Sequence, residues 1–174
     1  LKVKEQTTIK GDCLEVLKDK KLIEKYLKNK RFSLIAIDPP YGDMMSREKT
    51  GEAIKKNQST NATPFTKNRN DLGNMDWKNF KDKFLESINL SLPYLKDRGH
   101  YVVFIKDLQP KEGETNLLHS DLIEEMNKIE GLKYIGMKIW ADESINLYPY
   151  GYPHSFVSNQ LHQYIMFFRK KLKK

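Results

Sequence analysis

Hydrophobic and polar positions along this chain alternate between two periods. The segment Thr7–Ile9 is β-branched and short, and Gly11-Asp12 stops it. Asp12 then stands where a helix cap would, ahead of Cys13–Leu17. Apolar residues continue at Leu22, Ile23, Tyr26 and Leu27, at spacings that put them on one helical face. Ser33–Ile37 is a continuous apolar run of strand length, as expected of a strand covered on both faces in a parallel sheet. It stops at Asp38-Pro39-Pro40-Tyr41-Gly42, because neither proline can donate a ladder bond.

Residues 43–76 are a long polar stretch that predicts a loop, and loops of that length inside a compact domain tend to be functional. Trp77 to Leu95 has a helical period, with Phe80, Phe84, Leu85, Ile88 and Leu92 on one face, Asp76 as cap and Pro93 as breaker. Gly99 opens a second buried strand, His100–Lys106. Leu117–Ile129 predicts a helix with Leu118, Leu122, Ile123 and Met126 inward. Lys133–Trp140 and Leu161–Arg169 are further strands, joined by a loop over 146–160, which suits antiparallel pairing. The tally is five strands with intervening helices and no internal repeat, an α/β layer fold with a mostly parallel sheet and helices on both faces.

The tetrad Asp38-Pro39-Pro40-Tyr41 is the sharpest chemical signal. In an open parallel sheet, ligands sit outside the carboxyl ends of the strands, and this tetrad ends one. The Asp carboxylate and a proline-fixed carbonyl are two acceptors, and the Tyr ring is a flat stacking surface. Together they suit an exocyclic amino group on a flat base, whose nitrogen lone pair they would turn toward an electrophile. The competing reading of the same four residues is a rigid turn.

Length and composition narrow the class. With 174 residues the chain suits one domain, and 11% aromatic residues argue against disorder. No apolar run approaches the roughly 20 residues of a membrane helix, and no signal pattern opens the chain, so a cytoplasmic protein is expected. The single cysteine, Cys13, excludes an internal disulfide and reads as a packed thiol. Histidines 100, 119, 154 and 162 lack metal-ligand spacing, so no metal is expected. Trp77 and Trp140 lie in periodic segments and read as core. The net charge is +8, with 31 basic against 23 acidic residues, which favours a polyanionic partner such as nucleic acid. Residues 43–70 hold Arg47, Lys49, Lys55, Lys56, Lys67 and Arg69 against Asp43, Glu48 and Glu52, a basic segment directly after the tetrad. It suits gripping DNA phosphates and folding over a flipped base, and the competing reading is a solvated disordered loop. Tyr148, Tyr150 and Tyr152 suit stacking on bases or packing against the sheet equally, and the tail from Arg169 reads as a solvated end.

With these segments in hand, the sequence resembles the S-adenosylmethionine-dependent DNA methyltransferases that modify adenine at N6 or cytosine at N4. Asp38-Pro-Pro-Tyr-Gly42 is similar to their catalytic motif, His100–Ile105 to the strand that follows, and Leu161–Lys170 to a late strand ending in phenylalanine and a basic residue. Lys10–Lys18 is similar to a segment whose acidic residue lies near the cofactor's adenosine, which maps to Asp12. The resemblance implies a Rossmann-like three-layer sandwich, catalysis by Asp38, Pro39, Pro40 and Tyr41, cofactor contacts from Asp12 and Asp38, double-stranded DNA as substrate, and a link to restriction-modification. Asp at the head of the tetrad implies adenine N6.

The family's Phe-x-Gly-x-Gly loop has no counterpart, since no two of the nine glycines are spaced Gly-x-Gly. The five strands match the family's third to seventh. Residues 1–174 are therefore expected to be one partial catalytic domain: a fragment, half of a split enzyme whose other half or subunit carries the glycine loop, or a degenerate copy. The Leu start suits a fragment. The alternatives are a ribosomal RNA guanine amino methyltransferase and a non-catalytic nucleic-acid-binding remnant.

Overall fold

The structure is a computed structural model that describes residues 6–41, 66–107, 117–141 and 162–172. Helices α1 (Cys13–Lys18) and α2 (Lys20–Leu27) precede strand β1 (Phe32–Ile37). Helix α3 (Trp77–Ser91), strand β2 (Leu95–Ile105), helix α4 (Leu118–Lys128), strand β3 (Leu132–Ala141) and strand β4 (His162–Lys170) follow. The sheet order is β1-β2-β4-β3. β1 and β2 run parallel in the register Ile37 to Val103, so the two expected neighbours are neighbours. β4 pairs antiparallel with both β2 and β3. Among the described strands the sheet is thus mixed rather than mostly parallel, with one parallel pairing and two antiparallel ones.

One face of the sheet carries the core. Side chains alternate along a strand, and Tyr101, Val103 and Ile105 of β2 point the same way as Met166 and Phe168 of β4. Phe80, Phe84 and Ile88 of α3 and Leu118, Leu122 and Met126 of α4 pack on them, as their spacing predicts. α3 starts at Asp76, whose carboxylate accepts the Asn79 N–H at 2.8 Å, and gives way at Ser91 to a 3-10 turn that holds Pro93. The tyrosine hydroxyl buried by this packing finds a partner: Tyr101 lies 2.7 Å from the Ser91 hydroxyl. On the opposite face Val102, Phe104, Ile165 and Phe167 stay partly exposed. Both core-forming helices, α3 and α4, share this face.

Other differences have local causes. Thr7–Ile9 forms no strand, so the sheet has four strands among the described residues rather than five. The helical period through 13–27 is broken at Asp19, whose carboxylate caps α2 by accepting the Leu22 N–H at 3.0 Å. β2 begins earlier than Gly99, and residues 96–99 bulge out between the positions paired with Phe32 and Leu34. Only glycine fits at 99, since a Cβ there would lie 2.8 Å from the Lys96 carbonyl oxygen. Residues 66–76 are not structureless: Asn74 donates to the Thr66 and Asn68 carbonyls, and Leu72–Asn74 makes a 3-10 turn. The basic end of the chain is not simply solvated, because the Lys170 ammonium bonds the Leu92 and Leu95 carbonyls in the passage from α3 to β2. Trp77 packs as expected, stacked on Phe80 with its indole N–H on Asp121, whereas Trp140 is exposed near the end of β3. Residues 42–65, with Arg47, Lys49, Lys55 and Lys56, lie outside the described residues, as do Tyr148, Tyr150 and Tyr152.

The largest departure is β1. Its apolar sequence predicts burial on both faces, yet among the described residues it is an edge strand, with Phe32 47% and Leu34 54% exposed. An apolar cavity of about 470 Å³ runs beside it, between Leu17, Ile23, Leu34 and Phe84.

Two substitutions separate core from edge. Phe84→Ala should lower unfolding free energy by about 3–5 kcal/mol in a denaturant titration, as expected for a fully packed aromatic. Leu34→Lys should change it by less than about 0.5 kcal/mol, as expected at an exposed position.

Candidate functional site

Strand β1 delivers the tetrad to the end of the sheet. Ile37 is its last residue paired with β2, and Asp38 follows with its carboxylate exposed. Pro39 is buried and Pro40 half-buried, so the exit of the chain is fixed both by ring geometry and by packing. Gln163 of β4 reaches over the sheet end, its side-chain N–H 3.5 Å from the Asp38 carboxylate.

Tyr41 is placed otherwise than a base-stacking residue. It is 3% exposed, with its ring edge-on to Phe80 and its hydroxyl accepting the Lys106 N–H at 2.7 Å. The tyrosine therefore ties the turn after β1 to the end of β2. Burial pushes its phenol from 10.0 up to about 12, the Lys106 N–H opposes, and the nearby Asp38 and Asp107 carboxylates add to the rise. It is a neutral phenol at any physiological pH.

Asp12 caps α1, accepting the Leu14 N–H at 2.8 Å. It faces Pro40 across a cavity of about 550 Å³, which also meets Asn68, Asp71 and Lys83. Asp12 and Pro40 of the tetrad thus border one space. Lys67 and Arg69 are exposed beside that space, in the turn that ends the polar segment. Cys13 is exposed rather than packed, and partial burial together with Asp12 holds its thiol above the usual value, which disfavours the thiolate. Among the described residues no group of three or more His, Cys, Asp or Glu could hold a metal, and no helix is long and apolar enough to cross a membrane.

A second cluster was not legible in the sequence. Asp107, next after Lys106 at the end of β2, is 5% exposed. Its carboxylate takes the His119 ring Nδ1 at 2.7 Å and the His119 backbone N–H at 3.1 Å. The His119 ring stacks on Tyr164, with centroids 3.9 Å apart, and His162 stands edge-on to the same tyrosine. His119 lacks metal spacing in sequence, and only the fold brings it to Asp107. The available signal was an acidic residue closing a buried strand.

No family model matches the chain, and no curated protein is similar to it in sequence. Solved structures are similar to it. TTHA0409 of Thermus thermophilus, provisionally assigned as a DNA modification methylase, shares 19% identity at a TM-score of 0.55. The match covers 94% of this chain and 52% of that one. The same protein complexed with S-adenosyl-L-methionine shares 18% identity at a TM-score of 0.54, with the same coverage. M1.HpyAVI shares 17% identity at a TM-score of 0.49, covering 92% of this chain and 55% of its own.

The buried phenols make a pH prediction. Tyr101 is also pushed up to about 12, chiefly by burial. For a group that is neutral when protonated, a raised folded value stabilises the protein fully below the unfolded value. That contribution is lost as pH rises from 10.0 toward about 12. Melting temperatures should therefore fall steeply across that window, and less steeply in Tyr41→Phe. At neutral pH, Tyr41→Phe should lower unfolding free energy by about 1 kcal/mol, because the Lys106 N–H loses its acceptor.

The chain carries the α/β fold of TTHA0409 and spans about half the length of that protein.

Proposed function

We propose that this chain is the amine-orienting half of an S-adenosylmethionine-dependent DNA methyltransferase that acts on adenine N6. Asp38 carries the reading: an exposed carboxylate just beyond the last paired residue of a parallel strand, followed by two prolines that fix the chain exit. The fold shared with a protein solved with S-adenosyl-L-methionine supports the cofactor. Asp12 and Pro40, which border one cavity, suit its adenosine end. This sequence has no glycine loop for the methionine end.

The bound cofactor would supply an electrophilic methyl group. The chain's own residues set the nucleophile. A flipped adenine presents two amine hydrogens, one to the Asp38 carboxylate and one to the Pro39 carbonyl, which turns the nitrogen lone pair outward. Transfer would leave the broken carbon–sulfur bond's electron pair on the cofactor's sulfur and a surplus proton on the amine nitrogen, which the Asp38 carboxylate would be placed to accept. No covalent enzyme intermediate is needed, so positioning supplies much of the rate. Tyr41 contributes by anchoring the turn to Lys106 in the present arrangement. Lys67 and Arg69, with Arg47, Lys49, Lys55 and Lys56, supply phosphate contacts.

The apolar β1, which has one neighbour among the described residues, supports a second half that completes the sheet. Edge strands normally carry charges, prolines or bulges that block further pairing, yet Phe32–Ile37 holds no charge and no proline. A half carrying the glycine loop, from a longer chain or a separate subunit, fits that edge. A non-catalytic remnant is the second reading, favoured by the absent glycine loop.

Calorimetry and methyl transfer separate these readings. The isolated chain should bind S-adenosylmethionine weakly or not at all, and micromolar binding would show the cofactor site to be built another way. Supplied with a cofactor half, it should transfer tritiated methyl to duplex DNA and not to ribosomal RNA. Asp38→Ala should lower the single-turnover rate by about 10²-fold or more with the fold intact, in line with the cost of misplacing a reacting group. A wild-type rate in that variant ends the assignment.

A further inference from the structure

Two pairs of consecutive residues tie the tetrad to the Asp107–His119 cluster. At the end of β2, Lys106 donates its N–H to the Tyr41 hydroxyl, and the next residue, Asp107, holds His119. At the start of β4, Gln163 reaches Asp38, and the next residue, Tyr164, stacks on His119. In each pair one residue meets the tetrad and its neighbour meets the cluster. Tyr164 is paired with Ile105, so the two strand ends are also joined directly.

We infer that Asp107 and His119 are positioning residues for Asp38 and Tyr41, holding the ends of β2 and β4 in the relative placement that the tetrad requires. Burying a carboxylate is unfavourable unless it is well paired. Asp107 meets that condition through the two His119 donors, which fix it from the ring and from the backbone. The imidazole is fixed in turn between that carboxylate and the Tyr164 ring. A helix cap alone would need only the backbone bond: α4 has no side-chain cap of its own, and the His119 N–H bond to Asp107 serves that purpose. The bond from Nδ1 and the ring stack are additional, and they are what reaches β4. The importance of this placement for methyl transfer rests on the function proposed above.

His119→Ala tests the inference, since it keeps the capping backbone N–H and removes the ring. Amide hydrogen exchange by NMR on the full chain is the readout. Lys106 should exchange about tenfold faster, as expected when a local tie is opened, while Val103 in the strand interior is unchanged. Tyr164→Leu, which disturbs no buried charge, should give the same pattern and serves if His119→Ala does not fold. Changes confined to the first turn of α4, with Lys106 as in the wild type, would reduce the cluster to a cap and overturn the inference. In the methyl-transfer assay, His119→Ala should lower kcat about tenfold with KM for DNA unchanged, as expected when only transition-state geometry is lost. An unchanged kcat there would also overturn it. Faster Lys106 exchange in a protein that methylates no DNA upholds the positioning role and removes the methyltransferase reading.

Discussion

The site depends on strand β2 being held between two neighbours in a fixed register. Tyr101, Val103 and Ile105 are fully buried against α3 and α4, so β2 cannot slip by one residue without turning those side chains out of the core. That register sets where everything at the end of the sheet stands. Ile37 pairs with Val103, which puts Asp38 just past the paired region. Lys106 then faces the Tyr41 hydroxyl, and Asp107 reaches α4. The core packing and the placement of the candidate chemistry are one constraint seen from two ends of the same strand.

Elements whose signal is local were legible in the sequence. The face of α3 from Phe80 to Ile88 and its Asp76 cap follow from spacing within one turn or two. The β1–β2 adjacency followed from two apolar runs of strand length. What was not legible depends on contacts distant in sequence. The burial of Tyr41 is set by Phe80 and by Lys106, 65 residues away. The Lys170 ammonium satisfies carbonyls 75 and 78 residues earlier, a role no tail composition indicates. Asp107 and His119 lie 12 residues apart, across an intervening segment whose length sequence pattern does not interpret. The exposure of β1 was missed for a different reason: its sequence is that of an interior strand, and the described residues supply only one neighbour for it.

That mismatch and the functional reading have a common source. An apolar strand without charges or prolines at a sheet edge is a liability for a free-standing protein. The fold is shared with methylases of which this chain spans about half. On the function proposed above, the glycine loop absent from the sequence and a second neighbour for β1, which the described residues do not supply, would belong to one piece, and this chain would hold the part that orients the amine. On this account its Asp38 carboxylate, Pro39 carbonyl and anchored Tyr41 select an amino group and turn its lone pair.

The most direct measurement is the chemical identity of the product. DNA from a host without its own methylation, expressing this chain together with a cofactor half, can be digested to nucleosides and read by mass spectrometry. The account predicts N6-methyladenine that disappears when Asp38 is replaced by Ala. Methylation found only on cytosine N4 or on a guanine amino group of ribosomal RNA, or N6-methyladenine undiminished in the variant, would contradict it.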